Sequence, residues 1–168
     1  MVIKTLSIDP GKNNTWFSLW RGRKLGKTGH FPTPNTPHGY ITEDLYKRIA
    51  RLFDDLEMSE GDELVMERYQ ARRGKGGGSV SECVNLLIGM FASEARRRGI
   101  NVVIIQAADH KNAYNKHHSE KFPRGLIKKA GDRHATWRPR LKRYDPCDHV
   151  MDSMTLGVYR ILKREGIL

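Results

Sequence analysis

The sequence predicts an α/β fold, and three features of its hydrophobic pattern support this prediction. Three short runs of β-branched, aromatic and aliphatic residues near the N-terminus are separated by turns, as in an antiparallel meander. Two further apolar runs of strand length each follow a segment with helical spacing. A last helical segment closes the chain, so the predicted order is β-β-β-α-β-α-β-α. The 168 residues are enough for one buried core.

The three strands of the predicted meander lie close together in the chain. Residues 1–8 alternate and then run apolar, and this strand ends at the turn Asp9-Pro10-Gly11. Residues 15–20 are β-branched and aromatic, which predicts a second strand. Gly22-Arg23 makes another turn, and residues 24–31 form a third, weaker strand.

Two helix-then-strand units follow the meander. Apolar residues fall at helical spacing over about residues 41–56, and residues 63–67 form a short apolar strand that ends in an acid. A second helix is predicted over residues 79–98, where Gly99 terminates it. Residues 102–106 then form a strand of the buried type.

Positive charge dominates the chain and is concentrated in two segments. The chain has 30 Lys and Arg against 19 Asp and Glu, a net charge of +11 that favours polyanions as partners. Residues 72–78 form a glycine-rich basic loop, and residues from about 110 to 144 are strongly basic with little periodicity. A final helix runs from near Pro146, which suits a first turn, to about Arg164.

The composition also indicates a compartment. No apolar run approaches the roughly 18 residues of a membrane span, and the N-terminus lacks the apolar region of a signal peptide. We therefore expect no membrane association. The two cysteines, Cys83 and Cys147, lie far apart in the chain, which suits a reducing cytosol. A cytoplasmic protein is expected.

Acidic residues stand where predicted strands end and where the last helix begins. Asp9 and Glu67 close two apolar strands, and Asp148 and Asp152 lie in the first turns of the last helix together with His149. An acid at the end of an apolar strand is costly unless its charge is compensated. Carboxylate oxygens are the natural ligands of Mg²⁺, and two such ions about 4 Å apart can hydrolyse a phosphodiester. The pattern therefore indicates a two-metal site.

The helical residues of this set have a second interpretation. Asp148 lies four residues before Asp152, and His149 lies three before it, so either can share a face with Asp152. Acids in a first turn are also common helix caps, because the helix dipole favours anions there. For Asp148 capping and ligation remain equally open, whereas ligation is favoured for Asp152, which small and apolar residues follow.

Three motifs resemble those of RuvC-type Holliday junction resolvases, a family of the ribonuclease H-like superfamily. They are Leu6-Ser7-Ile8-Asp9-Pro10-Gly11, Val65-Met66-Glu67 and Asp148-His149-Val150-Met151-Asp152-Ser153-Met154. The element order also matches, so the resemblance spans nearly the whole chain. It implies a single nuclease domain over residues 1–168, with a mixed five-stranded sheet (a three-strand antiparallel meander plus parallel strands) flanked by helices. A bacterial or phage-encoded resolvase is compatible with this size.

The resemblance also implies roles for the acidic residues. Asp9 would bridge two ions of Mg²⁺ or Mn²⁺, Glu67 would bind one of them, and Asp152 would complete the site. The fourth ligand is either Asp148 or His149, because the family shows Asp or His three residues before the last Asp. If His149 is the ligand, its nitrogen should make Mn²⁺ well tolerated. The family further implies a homodimer to which the second helix contributes.

Several residues are candidates for contact with branched DNA. Arg68 and Tyr69 follow Glu67 directly, and basic residues continue in the loop and after the last strand: Arg72, Arg73, Lys75, Lys111 and Lys116. Family members insert an aromatic residue into the junction at this point. Tyr69 is the nearest candidate here, although strict alignment gives Gln70 and packing beneath the loop is an equal alternative. Lys111 or Lys116 would assist at the active site.

The predicted function is paired phosphodiester cleavage in branched DNA, above all in four-way junctions. One alternative is a ribonuclease H-like nuclease with another substrate, such as an RNA–DNA hybrid or a flap. A second is a protein that binds branched DNA without cutting it. Actin-like ATPases also share the superfamily fold, but they need a second lobe for which this chain is too short.

Overall fold

The computed structural model describes residues 2–11, 14–33, 43–69, 78–110 and 147–167. Five strands form one mixed sheet in the order β3-β2-β1-β4-β5. Strands β1, β2 and β3 pair antiparallel, and β1, β4 and β5 pair parallel. The strands are β1 (Lys4–Asp9), β2 (Asn14–Arg21), β3 (Lys24–Pro32), β4 (Glu63–Arg68) and β5 (Asn101–Gln106). The predicted α/β class and mixed sheet are confirmed.

Three long helices cover the two faces of this sheet. They are α1 (Glu43–Asp55), α2 (Gly78–Arg97) and α3 (Cys147–Arg164). The larger core cluster joins α1 and α2 to one face through residues that include Leu6, Ile8, Leu64, Met66, Leu45, Phe53, Leu87 and Phe91. Two smaller clusters join α3 to the opposite face. Because successive side chains of a strand alternate between faces, the odd-numbered residues of β1 and β4 point toward α3.

Close approach between α3 and the sheet depends on a small residue. A Cβ atom placed on Gly157 would lie 2.3 Å from Trp20 Nε1 and 2.6 Å from Ser7 Oγ. Ser7 Oγ itself lies 2.8 Å from Ser18 Oγ, so β1 and β2 carry a buried polar pair under the helix. Glycine therefore sets the distance between α3 and the two central strands.

Ion pairs fix the other end of α3. Glu63 is almost fully buried and accepts hydrogen bonds from Arg160 at 2.6 Å and Arg164 at 2.7 Å. Charge-assisted bonds of this kind are stronger and more directional than neutral ones. They fix the position of α3 along its axis relative to β4, and hence the position of its first turns at the opposite edge of the sheet.

A Schellman motif ends α2. Gly99 has a φ of 69°, and Ile100 N donates to Ala95 O at 2.9 Å. This confirms the predicted helix stop. Predicted and observed elements differ by up to three residues at their ends, and the helical turn at 107–110 was not predicted. None of the described helices has the length and apolar character needed to cross a membrane.

Candidate active site

Two acidic side chains meet at the carboxyl edge of the sheet. Ile8 pairs with Met66 in the parallel register of β1 and β4, so the next residues, Asp9 and Glu67, occupy neighbouring positions. Both point toward α3, because Ile8 and Met66 face the opposite core. Their side chains retain 13% and 17% of their exposure. Two adjacent, largely buried carboxylates are therefore placed where a cation would compensate their charge.

The first turns of α3 bring a third group to this edge. His149 Nδ1 lies 2.8 Å from Asp9 Oδ2, and about half of the imidazole remains exposed. Asp152 follows one helical turn later and is partly buried. The structure thus places His149 directly against Asp9. The side chain of Asp148 lies outside the described part of the structure, so the alternative between Asp148 and His149 remains a hypothesis.

An aromatic wall supports this arrangement. Trp16 pairs with Asp9 across the antiparallel strands β1 and β2, so both side chains lie on the same face. The indole packs with Val150 and Met154 of α3, and its centroid lies 5.0 Å from the ring of His30. Burial lowers the pKa of His30. The packing of Trp16 against Val150 and Met154 therefore helps to position the first turns of α3 beside Asp9.

One residue at the site was missed by the sequence analysis. His110 belongs to the short helical turn after β5, and its fully buried side chain has Nε2 3.5 Å from Glu67 Oε2. A lone histidine at the start of a basic segment carries no distinctive motif. Its one available signal was position, because β5 lies beside β4 and the carboxyl ends of parallel strands meet at one edge.

The donor chemistry of this edge fits a divalent cation. Asp9, Glu67 and Asp152 offer carboxylate oxygens and His149 an imidazole nitrogen, a set suited to Mg²⁺ or Mn²⁺. His149 Nδ1 and Asp9 Oδ2 lie at hydrogen-bond distance, 2.8 Å apart, so these two donors lie side by side at the edge of the sheet. Within the described ranges, however, no three such side chains are grouped closely enough to hold an ion as they stand.

The candidate DNA contacts are only partly described. Arg68 ends β4 and is exposed, whereas Tyr69 is half-buried and packs against the larger core cluster. Packing beneath the loop was one of the two alternatives for Tyr69. The remaining candidates lie outside the described residues: Arg72, Arg73, Lys75, Lys111 and Lys116.

Comparison with solved structures identifies the fold. A Thermus thermophilus RuvC structure with a Holliday junction substrate matches with a TM-score of 0.65 and 13% identity, covering 98% of this chain and 97% of that chain. The yeast mitochondrial Holliday junction resolvase matches with a TM-score of 0.63 and 14% identity, over 93% and 76%. The fowlpox virus resolvase matches with a TM-score of 0.55 and 15% identity, over 99% and 100%.

The chain has the RuvC-type resolvase fold. No family model matches the sequence, and no curated protein matches it either. The ribonuclease H-like architecture expected from the three motifs is confirmed by these structures and by the mixed sheet. At such low sequence identity the likeness concerns the resolvase fold, and the chemistry has to be argued from the residues of this chain.

Proposed function

We propose that this protein is a metal-dependent endonuclease that resolves four-way DNA junctions by paired phosphodiester cleavage. The observation that carries the proposal is that Asp9 contacts His149 and lies beside Glu67 at one edge of a resolvase fold. Two neighbouring carboxylates and an imidazole on three separate elements are a costly arrangement with no role in the core. As in the RuvC resemblance, residues 1–168 would form one nuclease domain.

Side chains from the sheet and from α3 would together bind the metal ions at this edge. Asp9 would bridge two ions of Mg²⁺ or Mn²⁺, Glu67 and Asp152 would each bind one, and His149 or Asp148 would provide the remaining ligand. Ions held by these residues would supply activation of a water and stabilisation of the leaving oxygen of the phosphodiester. The buried strand ends hold the carboxylates in place for this reaction.

The basic residues would hold the junction arms. A net charge of +11 supplies attraction to phosphates that weakens as salt is added. Arg68 directly follows Glu67 at the end of β4 and is exposed, so it would contribute to binding the phosphates of a junction arm. Arg72, Arg73 and Lys75 would continue this contact, and Lys111 and Lys116 would add to it. Tyr69 would act as a wedge only by leaving its packing against the core.

A second copy of the chain would complete the resolvase. A four-way junction has approximate two-fold symmetry, so a C2 dimer places one active site on each of two strands. The outer side of α2 supports this proposal, because Leu86 is 43% exposed there. Leu86 is also one of the residues that line a groove between α1 and α2. The groove is lined by Tyr46, Glu82, Asn85, Leu86, Gly89, Met90 and Ser93. A large aliphatic side chain beside such a groove suits a self-complementary contact.

A cleavage assay on matched substrates tests the proposal. The protein is incubated with Mg²⁺ or Mn²⁺ and a labelled four-way junction, beside linear duplex and an RNA–DNA hybrid of the same sequence. We expect symmetric nicks in the junction alone. Asp9→Asn should abolish these nicks while junction binding in a gel-shift assay and the melting temperature are retained.

The other outcomes separate the alternatives. Cleavage of the hybrid instead of the junction would be consistent with the proposed metal site but would contradict the proposed substrate. Tight junction binding with no cleavage in either metal would favour a protein that binds branched DNA without cutting it. Asp9→Asn protein that still cuts at the wild-type rate would remove Asp9 from the chemistry.

A further inference from the structure

We propose that His110 is a positioning residue that orients the carboxylate of Glu67 for metal binding. This inference rests on the proposed metal-dependent function, and it deepens that function by adding a residue that the three resolvase-like motifs do not contain. Its basis is the contact between a fully buried imidazole and a carboxylate at the candidate site, at 3.5 Å from Nε2 to Oε2.

The backbone around His110 is held firmly. Strand β5 pairs with β4 up to the level of the site, with Glu67 opposite Ile105 and Arg68 opposite Gln106. Ile105 is buried in the cluster under α3, which anchors the end of β5. The helical turn at 107–110 begins directly afterwards, so only a few residues separate this anchor from His110. The sheet and its core therefore constrain where the backbone of His110 can lie.

The carboxylate of Glu67 needs such support. A glutamate side chain has three rotatable bonds, and fixing it in one geometry costs conformational entropy. A carboxylate that binds a metal is usually held by a further hydrogen bond to one of its oxygens. Both the Nε2–H tautomer of imidazole and imidazolium donate from Nε2, so His110 can hold Oε2 and leave the other oxygen for the ion.

The proposed role requires the contact between His110 and Glu67 to shorten when the site binds an ion. A separation of 3.5 Å is longer than a formed N–H···O hydrogen bond. Contacts in an active site are often long before the reacting groups assemble and shorten in the complex. Nε2 of His110 would then hold Oε2 of Glu67 while the other carboxylate oxygen is available to an ion.

His110 and His149 differ in the role that their surroundings allow. His149 is about half exposed, contacts Asp9 directly and is open to an arriving ion. The side chain of His110 has no exposure and contacts the carboxylate of Glu67. The geometry therefore makes His149 a ligand candidate and His110 a group that acts through a ligand.

Metal binding in the absence of DNA tests this role directly. Mn²⁺ is titrated by electron paramagnetic resonance into the wild type, His110→Ala, His110→Phe and His110→Gln. We expect the Ala and Phe variants to bind Mn²⁺ ~10- to 100-fold more weakly, the range typical for loss of a group that orients a ligand. Gln offers an N–H donor at a similar reach, so His110→Gln should recover most of the affinity.

A double-variant cycle separates positioning from a general effect on the fold. If His110 acts through Glu67, adding His110→Gln or His110→Phe to Glu67→Gln should not change Mn²⁺ binding further. Metal-free protein gives a second readout, in which the imidazole nitrogen resonances of His110 should shift in Glu67→Gln. That comparison also covers the case in which His110→Ala does not fold.

Four results would overturn the positioning role. Wild-type affinity in His110→Phe is the first, and equal losses in His110→Gln and His110→Phe are the second. A His110→Phe loss that persists in full beside Glu67→Gln is the third. The fourth is a nitrogen coupling to Mn²⁺ in pulsed spectra that disappears in His110→Gln, because that would make His110 a ligand itself.

The failure of this inference is distinguishable from failure of the proposed function. If Asp9-dependent Mn²⁺ binding responds to His110 as described while no junction is cut, the positioning role stands and the nuclease proposal falls. If junctions are cut and Asp9→Asn abolishes cleavage, but the His110 variants bind Mn²⁺ as the wild type does, the nuclease proposal stands and the positioning role falls.

Discussion

His149 and Asp9 lie 140 residues apart in the chain, and their side chains are 2.8 Å apart between Nδ1 and Oδ2. The contact joins the end of β1 to the beginning of α3. It depends on the packing of α3 against the sheet, which Gly157 and Trp20 set at the centre of the helix and Glu63 at its far end. The candidate site is therefore sensitive to changes along the whole of α3.

The contact between His149 and Asp9 predicts which residue provides the fourth ligand. We expect His149→Ala to weaken Mn²⁺ binding by ~10-fold or more and Asp148→Asn to have a smaller effect. His149→Asp should shift the preferred ion from Mn²⁺ toward Mg²⁺, because it replaces a nitrogen ligand with oxygen. Cleavage rates in each metal measure the shift, and metal-free melting controls for folding. A larger loss in Asp148→Asn would assign the ligand to Asp148 instead.

The glycine under α3 predicts a stability difference between two matched variants. Gly157→Ala would place a methyl group 2.3 Å from Trp20 Nε1, so α3 must move and the free energy of unfolding should fall by about 1–3 kcal/mol. A methyl group added at Gly89, in the interior of α2, would meet no atom of the described residues within 4 Å beyond its own stretch of helix. Gly89→Ala should therefore be neutral or stabilising by up to about 1 kcal/mol within the subunit, and both variants are compared in the Leu86→Glu background because Gly89 lines the groove of the proposed dimer. Urea denaturation measures both. Equal effects would contradict the tight packing of α3.

Displacement of α3 by the added methyl group should also change the geometry of the candidate active site. Because His149 and Asp152 belong to the first turns of this helix, Gly157→Ala should weaken Mn²⁺ binding at temperatures where the protein remains folded. Gly89→Ala, on the opposite face of the sheet, should leave Mn²⁺ binding unchanged. Unchanged binding in Gly157→Ala would show that α3 accommodates the methyl group without moving its first turns.

Buried Glu94 predicts a loss of stability in acid. A hydrogen bond from Arg97, joined by Arg98, lowers the pKa of Glu94 from 4.5 to about 2 even though its side chain is fully buried. The stabilisation is present above the unfolded pKa and is lost as the pH falls from about 4.5 to 2. It amounts to at most about 3 kcal/mol, and to less in practice because Arg97 is 61% exposed.

Substitution of Glu94 should remove this pH dependence. Glu94→Gln should be less stable than the wild type at pH 7, and the difference should shrink between pH 4.5 and pH 2 in urea titrations. Glu82 lies on the same helix and is exposed, so Glu82→Gln is the matched control. A difference between Glu94→Gln and wild type that stays constant with pH would argue against the lowered pKa.

The exposed side of α2 predicts a change in oligomeric state. Leu86→Glu should convert the proposed dimer to a monomer in sedimentation experiments, because it places a charge in an apolar contact. Val2→Glu adds the same charge at a residue that is 66% exposed and away from α2, and it should leave the dimer intact. Monomeric Leu86→Glu should nick one strand of a junction without the paired second cut. A wild-type protein that is monomeric both with and without junction DNA would contradict the proposed dimer.

Much of the fold follows from local patterns in the sequence. Each strand is a short apolar or alternating run and each helix shows a repeat near 3.6 residues, so element type and order are encoded within a few residues. The end of α2 at Gly99 is likewise encoded locally, because the residue after the helix adopts a left-handed backbone conformation that favours glycine. The neighbouring positions of Asp9 and Glu67 were also predictable, since each residue ends an apolar strand and parallel strands end at one edge.

Only the tertiary structure decided which distant side chains meet at that edge. The contact of His149 with Asp9 and that of His110 with Glu67 depend on how α3 and the turn after β5 pack against the sheet. Local periodicity places a residue on a face of its own element, but it does not specify the partner on another element. Close packing between elements determines the partner. Here Gly157 leaves room for Trp20 against α3, and buried Glu63 accepts hydrogen bonds from two arginines of α3.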